Sequence, residues 1–138
     1  MFFSTETGNV TWNQTSGTHG FQPSLKDSCV TVYEPGLYGV FCQLTFKFDS
    51  GSTDTAVISA WIRGKADGNM TFLQRRSIDR PYLDEETHRT LIVSNLNVFP
   101  YVQHAGDSIC VTPSPAKALY VSSIDNTLTL VRLSGLIS

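Results

Sequence analysis

Residues 35–48, PGLYGVFCQLTFKF, read as a strand whose apolar residues do not alternate with polar ones. A strand with one face on a core and the other in water shows a two-residue alternation, because successive side chains point to opposite faces. Here Tyr38, Val40, Cys42, Leu44 and Phe46 share one face, yet Leu37, Gly39 and Phe41 on the other are apolar as well, and no charge falls between Leu37 and Thr45. A strand of this kind has to be covered on both sides. A chain of 138 residues with 41% hydrophobic content supports a single domain, residues 1–138, with one core. The second cover is therefore expected to be another copy of the chain, which points to an oligomer.

The net charge of −2 gives no electrostatic footprint for nucleic acid or for an anionic membrane surface. No apolar run approaches the ~20 residues of a membrane span. The start, Met1-Phe2-Phe3, lacks the charged and then long apolar pattern of a signal peptide. Three sequons, at Asn9, Asn13 and Asn69, lie in segments rich in Gly, Ser, Thr or Asn, where a glycan could be carried. The chain is expected to be extracellular: a secreted form, or the outer portion of a membrane protein anchored through a segment outside this sequence.

Short strands and turns follow one another along the chain. Residues 10–12 read as a brief strand, 13–20 as a loop, and 29–33 as a strand in which the valines alternate with Cys29 and Thr31. After the 35–48 stretch, residues 49–54 form a loop of turn formers. Residues 55–63 alternate cleanly, with Ala56, Ile58, Ala60 and Ile62 on one side, and the Gly-containing loop 65–69 turns the chain back into 70–78. A polar loop, 79–88, precedes an apolar strand over 90–99. His104-Ala105-Gly106-Asp107 is a turn, 108–112 a strand with Ile109 and Val111 inward, 113–126 a long loop around Tyr120, and 127–137 a final apolar strand. No segment has helical periodicity. The pattern predicts an all-β sandwich.

Catalysis finds no foothold. His19, His88 and His104 lie in separate loops without metal-ligand spacing, and no Ser or Cys stands in a nucleophile-elbow context. Asp84-Glu85-Glu86 lacks the oxygen-ligand spacing of a calcium loop and reads as a solvated acidic segment. Neither a catalytic residue nor a metal or cofactor is expected.

The order of these elements, with Gly36-Leu37-Tyr38, then Phe41 and Gln43, as its most specific piece, resembles the tumour necrosis factor ligand family from about residue 10 to residue 136. The Cys42-Gln43-Leu44 spelling looks most like the family's lymphocyte co-stimulatory branch. The resemblance implies a jelly roll of two antiparallel sheets, a homotrimer around a threefold axis, and binding of cysteine-rich receptors of the tumour necrosis factor receptor family in the grooves between protomers. It implies trimer contacts at Leu37, Phe41, Gln43 and Leu130, and receptor contacts in the loops at Lys65, Ala66, Asp67, Gly68 and Tyr120, with residues 49–54 a further loop of this kind. Two departures stand out. The last strand carries Leu128-Thr129-Leu130-Val131-Arg132 where the family usually has an aromatic pair and glycine, and the 65–69 loop lacks the tyrosine that several members place at its tip. The runner-up of another class, sharing the Pro-Gly-Leu-Tyr approach, is a pattern-binding module resembling the globular head of the first complement component.

By alternation Cys42 shares a face with Val40 and Leu44, so it is expected to be a buried free thiol. In the fold the resemblance implies, the strands of Cys29 and Cys110 are neighbours in the outer sheet. A bridge between them and three free thiols are both open, because the register is not readable from the sequence.

Overall fold

The structure, a computed structural model, describes residues 2–4, 12–16, 20–24, 26–49, 54–120 and 126–134, with side chains for all but 2–4 and 13–16. Among these residues the chain is mostly strand, in two antiparallel sheets, with one short 3-10 turn over Ala116–Ala118. The strands are β1 (Phe2–Ser4), β2 (Asn13–Ser16), β3 (Phe21–Pro23), β4 (Cys29–Val32), β5 (Gly36–Asp49), β6 (Thr55–Arg63), β7 (Met70–Asp79), β8 (Arg89–Val98), β9 (Tyr101–Val102), β10 (Ser108–Ser114) and β11 (Thr127–Ser134). One sheet runs β2-β1-β11-β5-β8, with β9 also paired to β5. The other runs β3-β4-β10-β6-β7. Successive strands β4, β5 and β6 switch from one sheet to the other and back.

The long central strand β5 sits between β11 and β8, and its side chains divide by the two-residue period. Tyr38, Val40, Cys42, Leu44, Phe46 and Phe48 are buried between the sheets. They meet Val30 and Val32 of β4, Ala56, Ile58 and Ala60 of β6, and Ile109 and Val111 of β10 in one contiguous core. Trp12 closes one flank, 1% exposed, its indole N–H donating to the Val111 carbonyl at 3.3 Å. A buried indole needs such a partner. Burying this apolar surface is the main stabilising term, and the inner positions of β4, β5, β6 and β10 supply it with β-branched and aromatic residues suited to strands.

Gly36 is required where β4 turns into β5. Its φ is +149°, and a Cβ there would lie 2.2 Å from the Ser134 carbonyl oxygen of β11. Any side chain would push the ends of β5 and β11 apart.

The structure corrects several sequence-based boundaries. Asn13–Ser16, expected to be loop, is the strand β2, paired with β1; such an edge pairing is made by backbone groups and needs no apolar alternation to hold it. Trp12 precedes that strand rather than ending one, and residues 10 and 11 lie outside the described residues. The expected loop after residue 112 begins later, since β10 continues through Pro113 to Ser114. There β10 pairs with β6 alone, β4 having ended its pairing at Cys29 opposite Cys110, so a residue without an N–H is tolerated.

Candidate functional site

The outer face of the β5 sheet is apolar at one end, around Phe41. Leu37 lies opposite Tyr101, Phe41 opposite Thr129 and Asn97, and Gln43 opposite Thr127 and Asn95. Phe41, 37% exposed, packs edge-on against Phe99 with ring centroids 5.7 Å apart, and Phe99 itself is 58% exposed. Gly39 leaves room for the Phe41 ring, since a Cβ there would stand 2.9 Å from it. Tyr101, Val131 and Leu133 extend the same surface into solvent. Leu37, Phe41 and Gln43 therefore share one accessible face. Leu130 does not: at 0% exposure it points into the core of its own chain, paired in register with Val40, and is corrected from surface contact to core residue. The residue that β11 presents on that face is its neighbour Val131, opposite Gly39.

A second surface lies at the edge where β7 and β8 run past each other. Leu73, Gln74, Asn97, Val98, Phe99 and Pro100 line a groove there. On the outer face of the other sheet, Trp61 and Phe72 pack at 5.1 Å. Trp61 is opposite Cys110 in register, and Cys110 is joined to Cys29, its cross-strand partner, by a disulfide. Cys42 is a free thiol in the core, and burial pushes its pKa far up, which keeps it neutral.

The loop carrying Lys65, Ala66, Asp67 and Gly68 is exposed but anchored. The Lys65 backbone N–H donates to the Asp107 carboxylate at 3.1 Å, and Asp107 is itself buried in the 104–107 turn, whose Gly106 N–H donates to the Val32 carbonyl at 2.7 Å. Gly106 has φ +93°, and a Cβ on it would meet the Lys65 Cδ at 2.5 Å. The sequence thus sets loop and turn against each other through a glycine and a buried carboxylate. At the loop's end Asp67 accepts from the Asn69 backbone N–H at 2.9 Å and from its side-chain amide at 3.0 Å, with Asn69 exposed. Asn13 lies in β2, and Asn9 falls outside the described residues, as do 50–53 of the 49–54 loop.

Tyr120 is held from the opposite end of β5. Its N–H donates to the Thr45 carbonyl at 2.8 Å, and its own carbonyl accepts from the Asn126 amide at 2.5 Å. Asn126, fully buried, also accepts from the Thr45 N–H at 2.9 Å, so one side chain ties the Tyr120 loop to the central strand. Lys65–Gly68 and Tyr120 are each fixed to the scaffold by bonds from the backbone.

Near the disulfide, Arg63 and Asp27 form an ion pair at 2.7 Å, and Asp27 also accepts from the Cys29 N–H at 3.1 Å. Partial burial works to raise the Asp27 pKa, but the hydrogen bonds from Arg63, Ser24 and Cys29 outweigh it and hold the carboxyl below its ordinary value.

Tyr82 is a surface feature that sequence reasoning missed. It projects wholly into solvent, 101% exposed, from the 80–88 segment. Only the packing of its neighbour Leu83 against the core reveals which of the two side chains is turned outward. Among the described residues no group of three or more His, Cys, Asp or Glu could hold a metal ion, and no helix is long and apolar enough to cross a membrane. Compared with protein-family models and with curated proteins, the chain matches none.

Proposed function

We propose that the chain is the extracellular domain of a cytokine of the tumour necrosis factor ligand type, a jelly roll that assembles as a homotrimer and signals by clustering cysteine-rich receptors. The observation that carries this reading is the apolar outer face of the β5 sheet: Leu37, Phe41, Phe99, Tyr101, Val131 and Leu133 form a patch that a solitary protein seldom leaves in water. The strand orders β2-β1-β11-β5-β8 and β3-β4-β10-β6-β7, with the chain crossing between sheets, support the jelly roll. The groove between β7 and β8 adjoins this face and shares Phe99 with it. A threefold ring is built from heterologous contacts, in which a patch on one copy meets a different patch on the next. The disulfide and the exposed sequon at Asn69 support passage through an oxidising, glycosylating compartment.

In this reading receptor contact falls to the anchored loops at Lys65–Gly68 and Tyr120. Neither supplies a fully exposed aromatic anchor, so the hot spot that such interfaces need draws on other exposed aromatics. Surface plasmon resonance of the purified domain against a panel of cysteine-rich receptor ectodomains tests the reading. Capture by at least one member, weakened about tenfold or more by Asp67→Lys or Tyr120→Ala, is expected. Absence of binding to the whole panel by a correctly folded, oligomeric domain would overturn the receptor assignment.

A further inference from the structure

The chain has five tyrosines, and their surroundings differ sharply. Tyr38 is buried in the core, and Tyr33 is half-exposed with its hydroxyl bonded to Gln22. Tyr101 lies on the apolar face and Tyr120 is partly buried, its loop tied down by Asn126. Tyr82 alone stands completely clear of the protein.

The segment that presents it is pinned at both ends. The Arg80 N–H donates to the Asp54 carbonyl at 2.7 Å, the Thr90 hydroxyl to the Tyr82 carbonyl at 3.1 Å, and the His88 N–H to the Asp84 carbonyl at 2.7 Å. Leu83 packs on the core next door. The backbone is thus held while the phenol is offered outward, immediately after Pro81. Carboxylates surround it along the chain: Asp79 three residues before, and Asp84, Glu85 and Glu86 two, three and four residues after. None of these four is in an ion pair among the described residues, although Asp84 accepts from the Glu86 and Thr87 N–H groups and Asp79 from the Thr55 hydroxyl. The one nearby cation on the segment, Arg80, reaches towards Asp54 at 3.9 Å. No other described tyrosine has more than one acidic residue within four positions.

We infer that Tyr82 is an acceptor for O-sulfonation by a tyrosine sulfotransferase of the secretory pathway. A transferase that must bring an anionic sulfonate donor to a phenol needs a basic cleft, and a phenol flanked by exposed carboxylates is the substrate such a cleft attracts and orients. The phenolic oxygen attacks the sulfur of a nucleotide phosphosulfate, and the new oxygen–sulfur bond forms as the bond from sulfur to the bridging phosphate oxygen breaks. That oxygen takes the electron pair and leaves with the nucleotide, and the phenolic proton passes to a base of the transferase. The product carries a permanent negative charge and acceptor oxygens suited to an arginine-bearing partner surface.

The inference rests on the extracellular reading, and its test is arranged so that the two fail separately. Purified domain is incubated with a tyrosylprotein sulfotransferase and radiolabelled nucleotide phosphosulfate, then digested and mapped by mass spectrometry. Label is expected on the peptide holding Tyr82 alone, absent in Tyr82→Phe, and reduced about tenfold or more when Asp84→Asn, Glu85→Gln and Glu86→Gln are combined. In a second arm the domain is secreted from mammalian cells. A phosphatase-resistant sulfonate on Tyr82 that disappears with a sulfation inhibitor is the expected result. Label on Tyr33 or Tyr101 instead, or none while an acidic tyrosine peptide is modified in the same tube, overturns the assignment whatever the compartment. Secreted protein that carries N-glycans but no sulfonate also overturns it, with the extracellular reading intact; failure of the extracellular reading shows instead as in vitro labelling of Tyr82 in a chain that acquires no glycan in cells.

Discussion

Asn126 does more for the shape of the molecule than its polarity suggests. One buried amide accepts from the Thr45 N–H and donates to the Tyr120 carbonyl, so it fixes a loop and the strand beside it at once. Asn126→Ala removes both bonds at a buried position and is expected to cost about 1–3 kcal/mol, read as a lowered urea midpoint at unchanged slope. Asp27 gives a smaller and pH-dependent effect. Its pKa is lower in the folded chain than its ordinary value, so its contribution is complete above the unfolded carboxylate pKa of about 4 and is lost as pH falls through the folded value. The ion pair with Arg63 is partly solvent-exposed, which limits the effect to under about 1 kcal/mol. Urea melts from neutral pH down to strong acid should show that the Asp27→Asn variant lacks this part of the acid loss; an identical pH profile in both proteins would remove the assignment.

At the scale of elements, the disulfide clamps β4 to β10 across 81 residues of sequence. Opening it frees a long loop in the unfolded chain, worth about 4 kcal/mol in the chain-entropy picture. A reduced and alkylated domain should therefore unfold at markedly lower urea than the oxidised one, with Cys42 unreactive in both until unfolding exposes it. The strand β5 was legible in the sequence because its inner face, Tyr38 to Phe48, follows a strict period and its outer face breaks the polar alternation. The cores of β6 and β10 were legible for the same reason. The short strands β1, β2, β3 and β9 were not, since two to four residues paired through backbone groups leave no pattern in side-chain polarity. Leu130 was misread because the resemblance supplied its position, whereas its own alternation with Leu128 places both in the core. Tyr82 was invisible for a different reason: its exposure depends on the packing of Leu83 and on the Thr90 hydroxyl, both set by tertiary structure.

For the whole molecule, the decisive surface is the one a single chain leaves bare. Phe41 lies in it, packed against Phe99 and next to Gly39, and in the proposed trimer it is covered by neighbouring copies. Phe41→Glu would bury a charge there, at a cost of several kcal/mol, and should yield monomers with the sandwich intact by circular dichroism. The free chain tolerates the change because Phe41 is already on its outer face. Multi-angle light scattering on the purified domain tests self-assembly most directly. A mass three times that of the 15.2 kDa chain, falling to one chain for Phe41→Glu, is predicted. A mass of one chain for the unaltered domain at micromolar concentration would contradict it.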